Sequence, residues 1–348
     1  MDRSVREWGG TRGMMKRKAF SLLSGGLDSL LATRLIMAQG VEVVGLHFIT
    51  PFFGYERKGR ETDYVERMRR EYDIEARVID VGEEYFQILR HPRYGYGKNF
   101  NPCVDCKVFL FSKAKQLLEE EKADFLVTGE VLGQRPMSQR RDTLRIVERD
   151  SGTEGLLLRP LSARNLSPTK PEILGMVDRE KLLGLKGRGR KPQIKLAEEF
   201  GIRNYPAPAG GCVLTDPILS KRIRNHFTRH PVVTVNEVLL LQVGRQFLLG
   251  DQGWLVLGRN EAENGKLEGL RREGDFFLKI EKIPGPLGLL RGAKDLNQIR
   301  QAAAILVRYS KAKTEEAAGV VYGPGPEDFP HHVTVRPARD EEVVPLKL

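Results

Sequence analysis

Apolar positions in the first half of the chain fall into short runs separated by longer amphipathic stretches. Lys18-Ala19-Phe20-Ser21-Leu22-Leu23 reads as a buried strand that breaks at Ser24-Gly25-Gly26 and re-forms as a helix through Ile36. Residues 41–49 are a β-branched apolar run, the second strand. A charged helix follows over residues 60–73, then a third strand over 76–81. A tyrosine- and glycine-rich loop from Pro92 to Pro102 feeds a long helix through Glu121, and Ala123-Asp124-Phe125-Leu126-Val127 is the fourth strand, ending at Thr128-Gly129-Glu130. Strands alternating with helices, and apolar throughout rather than on one face, predict an α/β fold with a doubly wound parallel sheet. Near residue 230 the pattern changes to short strands, Phe247-Leu248-Leu249 and Trp254-Leu255-Val256-Leu257, with a turn over residues 250–253. The expected organisation is a flexible tail over 1–17, an α/β domain over 18–228 and a smaller α+β domain over 229–348.

Composition adds a class and a partner. A chain of 348 residues with 40% hydrophobic and 30% charged residues suits a soluble globular protein with two cores. It has no run of about 18 apolar residues, so no membrane partner is expected. The first residues are basic without an apolar core, which excludes a secretory leader and makes Met14 or Met15 a candidate start. The 57 Lys and Arg exceed the 46 Asp and Glu by 11 charges, which points to an acidic partner, nucleic acid first. Lys186-Gly187-Arg188-Gly189-Arg190-Lys191 is either a contact for polynucleotide phosphates or a solvated loop. Three cysteines, an odd number, argue against a disulfide framework and for a cytoplasmic location.

The stretch Ser24-Gly25-Gly26-Leu27-Asp28-Ser29 has the makings of a phosphate cradle. Its glycines let backbone N–H groups turn inward, the following helix adds its positive end, and Ser24 and Ser29 offer hydroxyls. Asp28 either caps the helix or holds a magnesium ion. The G-x-x-x-x-G-K-[ST] spacing and its lysine are missing. The stretch resembles the SGGxDS loop of the N-type ATP pyrophosphatases (PP-loop proteins, with an adenine nucleotide alpha-hydrolase-like fold), which cleave ATP between its α and β phosphates. That resemblance implies ATP and Mg2+ as cofactors, with Ser24, Gly25, Gly26, Asp28 and Ser29 binding the nucleotide and Asp28 also catalytic. Ligands in such sheets sit beyond the carboxyl ends of the strands, so backbone near His47 and the polar loop from Thr128 and Gly129 to Gln139 are further nucleotide-binding candidates.

That loop resembles the TGESLGQVASQ segment of the tRNA 4-thiouridine synthetases (ThiI). Leu158-Arg159-Pro160-Leu161 and Thr169-Lys170-Pro171-Glu172-Ile173 resemble later pieces of the same family. In the second domain, Gly258-Arg259-Asn260-Glu261-Ala262-Glu263-Asn264 and Tyr309-Ser310-Lys311-Ala312 resemble the NFACT-R module, which is associated with RNA binding. Where that module usually shows tryptophan and histidine, this chain has Phe277-Leu278.

Cys103 and Cys106 stand one turn apart at a loop-to-helix junction, where the helix end favours the thiolate. Cys212 follows Pro206-Ala207-Pro208-Ala209-Gly210-Gly211, a flexible approach that would carry a third sulfur over the nucleotide. Three readings follow. Cys103, Cys106 and Cys212 as metal ligands would hold a [4Fe-4S] cluster with one iron open for sulfide, as resemblance to the archaeal-type thiouridine synthetases implies. Cys106 and Cys212 would form a catalytic persulfide pair, as in the 2-thiouridylases (MnmA), although those carry aspartate at the position of Cys103. A structural zinc would need a fourth ligand, from His91 or Asp105.

The resemblances imply a tRNA sulfurtransferase that adenylates a uridine carbonyl, releases pyrophosphate and AMP, and installs sulfur from sulfide or a persulfide carrier, with 4-thiouridine expected first and 2-thiouridine second. The 4-thiouridine synthetases place a ferredoxin-like and a THUMP domain ahead of this loop. Fewer than 20 residues stand there in this sequence, so the carboxyl-terminal module is expected to grip tRNA. A homodimer is a further expectation. The competing readings are a non-catalytic RNA-binding factor and an amidating or lysidine-forming ligase, which has no need of three thiols.

Overall fold

A computed structural model describes residues 17–205 and 212–348. The expected tail, apart from Arg17, and the approach segment ahead of Cys212 lie outside the described residues. By packing, the chain divides into two compact units, Met1–Cys212 and Val213–Leu348.

The first unit runs β1 (Lys18–Leu22), α1 (Leu27–Met37), β2 (Glu42–Ile49), α2 (Glu61–Tyr72), β3 (Glu75–Asp80), α3 (Gly82–Arg90), α4 (Cys103–Glu120), β4 (Phe125–Thr128), α5 (Arg141–Ser151), β5 (Leu157–Leu158), α6 (Lys170–Ile173) and α7 (Lys191–Glu199). Its sheet has the order β3-β2-β1-β4-β5, every pairing parallel. The doubly wound sheet expected from the alternation is therefore present. Its strands bury both faces: Ala19, Val43 and Val127 pack with Leu30, Leu31 and Met68 of α1 and α2, while Phe20, Leu46 and Leu126 pack with Phe111, Ala114 and Leu118 of α4. Two buried faces are what removed the period-2 pattern from these strands.

The strand order reverses at β1, between β2 and β4, and register sets Leu22 beside both Leu46 and Thr128. The loops leaving these strands thus diverge from one edge, the place where open α/β sheets hold ligands. Here α1 and β4 approach each other closely. A Cβ placed on Gly129 would overlap the Asp28 carbonyl carbon and the Ser29 nitrogen, so no other residue fits.

One residue further on, Glu130 is 5% exposed and forms ion pairs with two cations. Lys107 of α4 pairs with one carboxylate oxygen and also donates to the Ser138 carbonyl at 3.1 Å. Arg159, just after β5, donates from Nε to the other oxygen at 2.9 Å and pairs with Glu148 of α5. Burial alone would raise the Glu130 pKa, but Lys107 and Arg159 reverse the sign and hold it below the usual carboxylate range. This buried pair of bridges locks α4 to the carboxyl end of β4.

The second unit runs α8 (Pro217–Arg229), α9 (Val235–Leu241), β6 (Arg245–Leu249), β7 (Gly253–Leu257), α10 (Glu261–Gly269), β8 (Phe276–Ile280), β9 (Gly288–Arg291), α11 (Leu296–Arg308), β10 (Ala318–Gly323), β11 (His331–Val335) and α12 (Asp340–Val343). Its sheet is antiparallel, in the order β11-β10-β8-β9-β7-β6, with α11 supplying Ile299, Ala303 and Leu306 to the core. Helices α8 and α9 belong to this unit, so the strands begin at Arg245 rather than near residue 230. Phe277 and Leu278 are fully buried in β8 and serve its core.

Glu130→Gln should cost about 3–5 kcal/mol, because it leaves two buried cations facing one neutral amide. Urea denaturation followed by circular dichroism measures this, and a loss below about 1 kcal/mol would show that the bridges contribute little. Gly129→Ala should cost about 1–3 kcal/mol through overpacking against α1; an unchanged unfolding midpoint would mean that α1 and β4 have room between them.

Candidate active site at the sheet edge

The loop after β1 is built from the residues its sequence singled out. The Leu23 N–H donates to the Leu46 carbonyl at 2.9 Å, which continues the strand pairing by one residue. Gly25 then takes a φ of 78°, a left-handed conformation that suits glycine. Gly26 is extended and begins α1. The two serines join through a hydrogen bond at 3.3 Å, the Gly26 N–H donates to Ser24 Oγ at 3.3 Å, and Ser29 Oγ donates to the Gly26 carbonyl at 2.7 Å. The turn is thereby shaped before any anion arrives.

Asp28 lies in the first turn of α1, where the helix dipole favours its charge. Gln134, on the loop after β4, donates to its Oδ2 at 3.0 Å. Its Oδ1 is buried without a hydrogen-bond partner among the described residues. Leaving a carboxylate oxygen buried and unpaired is costly, and a hydrated cation is a fitting partner for it. By this observation the loop fits Mg2+.

His47, a nucleotide-binding candidate from its place on the second strand, is 4% exposed and turned beneath the loop. Its Nδ1–H donates to the Leu23 carbonyl at 2.7 Å, and its ring stacks on Tyr64 at 4.5 Å. Burial lowers its pKa to about 4, with a further lowering from Arg57, so the ring is neutral near pH 7. It supports the turn from behind. Thr128 is buried at the end of β4, and Gly129 is the point of contact with α1.

Two of the three cysteines stand at the start of α4, and Cys212 lies far along the chain, after α7. Cys103 is the first residue of α4 and Cys106 lies one turn on, its N–H donating to the Pro102 carbonyl at 2.8 Å. Cys106 faces the hydroxyl of Tyr85, a fully buried side chain of α3. The charges of Cys103, Cys106 and Cys212 all act on that hydroxyl and raise its pKa, after burial, which is the larger cause. All three thiols thus lie within electrostatic reach of Tyr85. The expectation that the helix end makes Cys106 a thiolate is corrected: burial pushes its pKa up to about 12, and Cys103 and Cys212 push the same way, against the nearby Tyr85 hydroxyl and Lys107. The dipole is outweighed by desolvation.

Asp105 is not open as a ligand, because its carboxylate accepts the backbone N–H groups of Arg93 at 2.7 Å and Tyr94 at 3.1 Å. Three thiols are the right chemistry for an iron–sulfur group. Among the described residues, however, no group of three His, Cys, Asp or Glu side chains is arranged to hold a metal ion. Tyr85 had no sequence signal beyond an apolar position on a helix. Phe52, Phe53 and Phe109 pack around its ring at 5.8, 5.7 and 6.1 Å.

The two sites are coupled through consecutive residues. Cys106 precedes Lys107, Lys107 pairs with Glu130, and Glu130 follows Gly129, which touches Asp28 and Ser29. The basic run is drawn to the same edge: Lys186 forms a β-bridge with Leu132, the Gly187 N–H donates to the Leu132 carbonyl at 2.8 Å, and Lys186 and Arg188 are exposed.

Comparison with known proteins finds two family models along the chain. Residues 14–174 match the family model described as thiamine biosynthesis protein (ThiI), and residues 244–345 match that of the NFACT protein RNA binding domain. A probable tRNA sulfurtransferase of Thermococcus kodakarensis is 30% identical over 147 residues, 42% of this chain and 38% of its own. A tRNA-specific 2-thiouridylase MnmA of Syntrophotalea carbinolica is 34% identical over 114 residues, 31% of this chain and 32% of its own. Another, of Mesoplasma florum, is 25% identical over 273 residues, 70% of this chain and 69% of its own. The matches to the first two thus span well under half of those relatives' length. The chain thus carries a match to the ThiI family model over residues 14–174 and a match to the model of the NFACT protein RNA binding domain over residues 244–345.

Proposed function

We propose that the protein is an ATP-dependent tRNA sulfurtransferase that activates a uridine carbonyl as its adenylate and exchanges the oxygen for sulfur. The observation that carries this reading is the coupling of two unlike sites, an anion-cradling loop and a trio of thiols, through the buried Lys107–Glu130 pair. A carbonyl oxygen is a poor leaving group, so a phosphate cradle beside sulfur nucleophiles answers the two needs of thiolation at one place.

In this reading the backbone of Gly25 and Gly26 and the hydroxyls of Ser24 and Ser29 bind the pyrophosphate portion of ATP, the Gly26 N–H exchanging Ser24 Oγ for a phosphate oxygen. Asp28 holds Mg2+ through its orphaned Oδ1, while Gln134 fixes the other oxygen. The uridine oxygen forms its bond to the α-phosphorus as the bond to the β-phosphate oxygen breaks. The outer sulfur of a persulfide on Cys212, charged by an external carrier, bonds to the activated carbon, and AMP leaves with the former carbonyl oxygen. Cys106 then attacks Cys212 Sγ, which breaks the S–S bond, leaves the sulfur on the base and forms a Cys106–Cys212 disulfide that an external thiol reduces. The alternative is a [4Fe-4S] group that Cys103, Cys106 and Cys212 would hold and that would supply the sulfur chemistry in place of the persulfide. Lys186 and Arg188 at the site's edge, together with the NFACT-type domain, bind the tRNA backbone.

Nucleoside mass spectrometry of tRNA incubated with protein, ATP and a sulfur source tests the reading. Thiouridine should form with equal AMP and pyrophosphate, and Asp28→Asn or Cys212→Ala should lower its yield at least a hundredfold. AMP formation that persists with all three cysteines replaced by alanine, giving an amidated base, would favour a ligase. Tightly bound iron that disappears in Cys103→Ala would select the cluster, and activity retained in Cys103→Ala would select the persulfide pair. The position of sulfur on the base, C4 or C2, is read from the same spectra. Lys186→Ala with Arg188→Ala should weaken tRNA binding and reduce its salt slope by about 2, one for each phosphate no longer neutralised; an unchanged slope would place the RNA elsewhere.

A further inference from the structure

The loop after β1 has a charge problem. Between Lys18 and Arg34 it carries no lysine or arginine, and it contributes the negative Asp28. Inward N–H groups and one divalent cation leave a triphosphate incompletely neutralised, and the lysine of the other common phosphate loop is missing. The compensating cation must come from another element.

Arg57 is such a cation. It ends the short 3-10 turn Tyr55–Arg57 in the loop that leaves β2, on the same sheet edge. A Cβ built on Gly25 would lie 3.9 Å from Arg57 Nη2, and one built on Gly54 would lie 3.6 Å from Nη1. The guanidinium therefore stands beside the first glycine of the cradle, where the backbone turns left-handed. The Arg57 N–H donates to the Gly54 carbonyl at 3.1 Å, the guanidinium lies 5.1 Å above the Tyr64 ring, and Tyr64 stacks on His47. His47 is in turn bonded to Leu23, at the root of the cradle. A side chain with several rotatable bonds is held in place by a stack of three residues from three elements.

The guanidinium is anchored but not used up. Its pairing with Glu56 runs through Nη1, and the Glu56 side chain is 70% exposed, so that pairing is weak and readily exchanged for a stronger anion. Nη2, the nitrogen nearer Gly25, is outside that pair. An arginine fork with one free edge suits bidentate recognition of phosphate.

We propose that Arg57 is the missing cation of the cradle, binding the β- and γ-phosphates of ATP and the pyrophosphate that departs. When the bond between the α-phosphorus and the β-phosphate oxygen breaks, its electron pair stays on that oxygen, and Arg57 faces the charge that develops there. This role rests on the adenylation reading above and adds a phosphate-binding residue to it. It also explains why His47 is neutral and buried: the imidazole is part of the support of the guanidinium.

Equilibrium binding to the full chain separates this role from a purely structural one. Arg57→Gln should weaken ATP and inorganic pyrophosphate by roughly ten- to a hundredfold, the size expected when a charge-assisted hydrogen bond is removed, and leave AMP within about twofold. Arg57→Lys, which keeps the charge but not the fork, should recover part of the affinity. Equal weakening of AMP and ATP would show that Arg57 only shapes the loop, and unchanged pyrophosphate binding would place the cation elsewhere; either result overturns the proposal. If Arg57→Gln does not fold, the comparison of Arg57→Lys with wild type carries the same split. A wild-type chain that binds neither ATP nor pyrophosphate would overturn the adenylation reading itself, whereas wild-type binding with an insensitive Arg57 overturns only this proposal.

Discussion

The arrangement depends on one buried carboxylate. Glu130 sits where β4 ends, and its two ion pairs reach α4 and the residue that follows β5. Burying a carboxylate with two cations is expensive unless every partner is present, and the same expense makes the geometry sharp. Lys107 is fixed, so Cys106 beside it is fixed. Gly129 has no side chain, so α1 can reach the strand, and the cradle stands at the same edge. The cradle and Cys106 are thus tied together through neighbouring residues.

Much of this was legible in the sequence. The alternation of apolar runs and amphipathic stretches implied a parallel sheet, because strands with two buried faces leave unbroken hydrophobic runs. The Ser24–Ser29 stretch could be read as a turn that bares its backbone, since glycine and serine have few other reasons to stand between a strand and a helix. Tyr85 and Arg57 were not legible. Their roles come from long-range packing: α3 brings Tyr85 to the cysteines, and the β2 loop brings Arg57 to Gly25. No local pattern encodes either approach. The thiol of Cys106 shows the reverse failure, where a sound local rule about helix ends is outweighed by burial that only the fold reveals.

In the second unit two strands and a change of pattern could be read from the residues, but not the extent of the sheet. β10 and β11 pair in the same antiparallel sheet as β6 and β7, yet β10 is short with two glycines, and β11 is short and opens on two histidines. Phe277 and Leu278, which stand where the module usually shows tryptophan and histidine, face the interior and offer no side chain to a partner. A net charge of +11 offers many of them. The basic run at residues 186–191 is tied by backbone pairing to the loop after β4, so part of that charge stands at the candidate active site.

If nucleotide and sulfur chemistry share one pocket at the switch point of the sheet, a crystal structure with an ATP analogue that cannot be cut between its α and β phosphates shows it most directly. The phosphates should be seated on Gly25, Gly26 and Ser29, with the α-phosphorus facing Cys106 and Cys212 and room for one base between them. A nucleotide bound at another edge, or a wall of side chains separating the α-phosphorus from both sulfurs, would contradict the shared pocket.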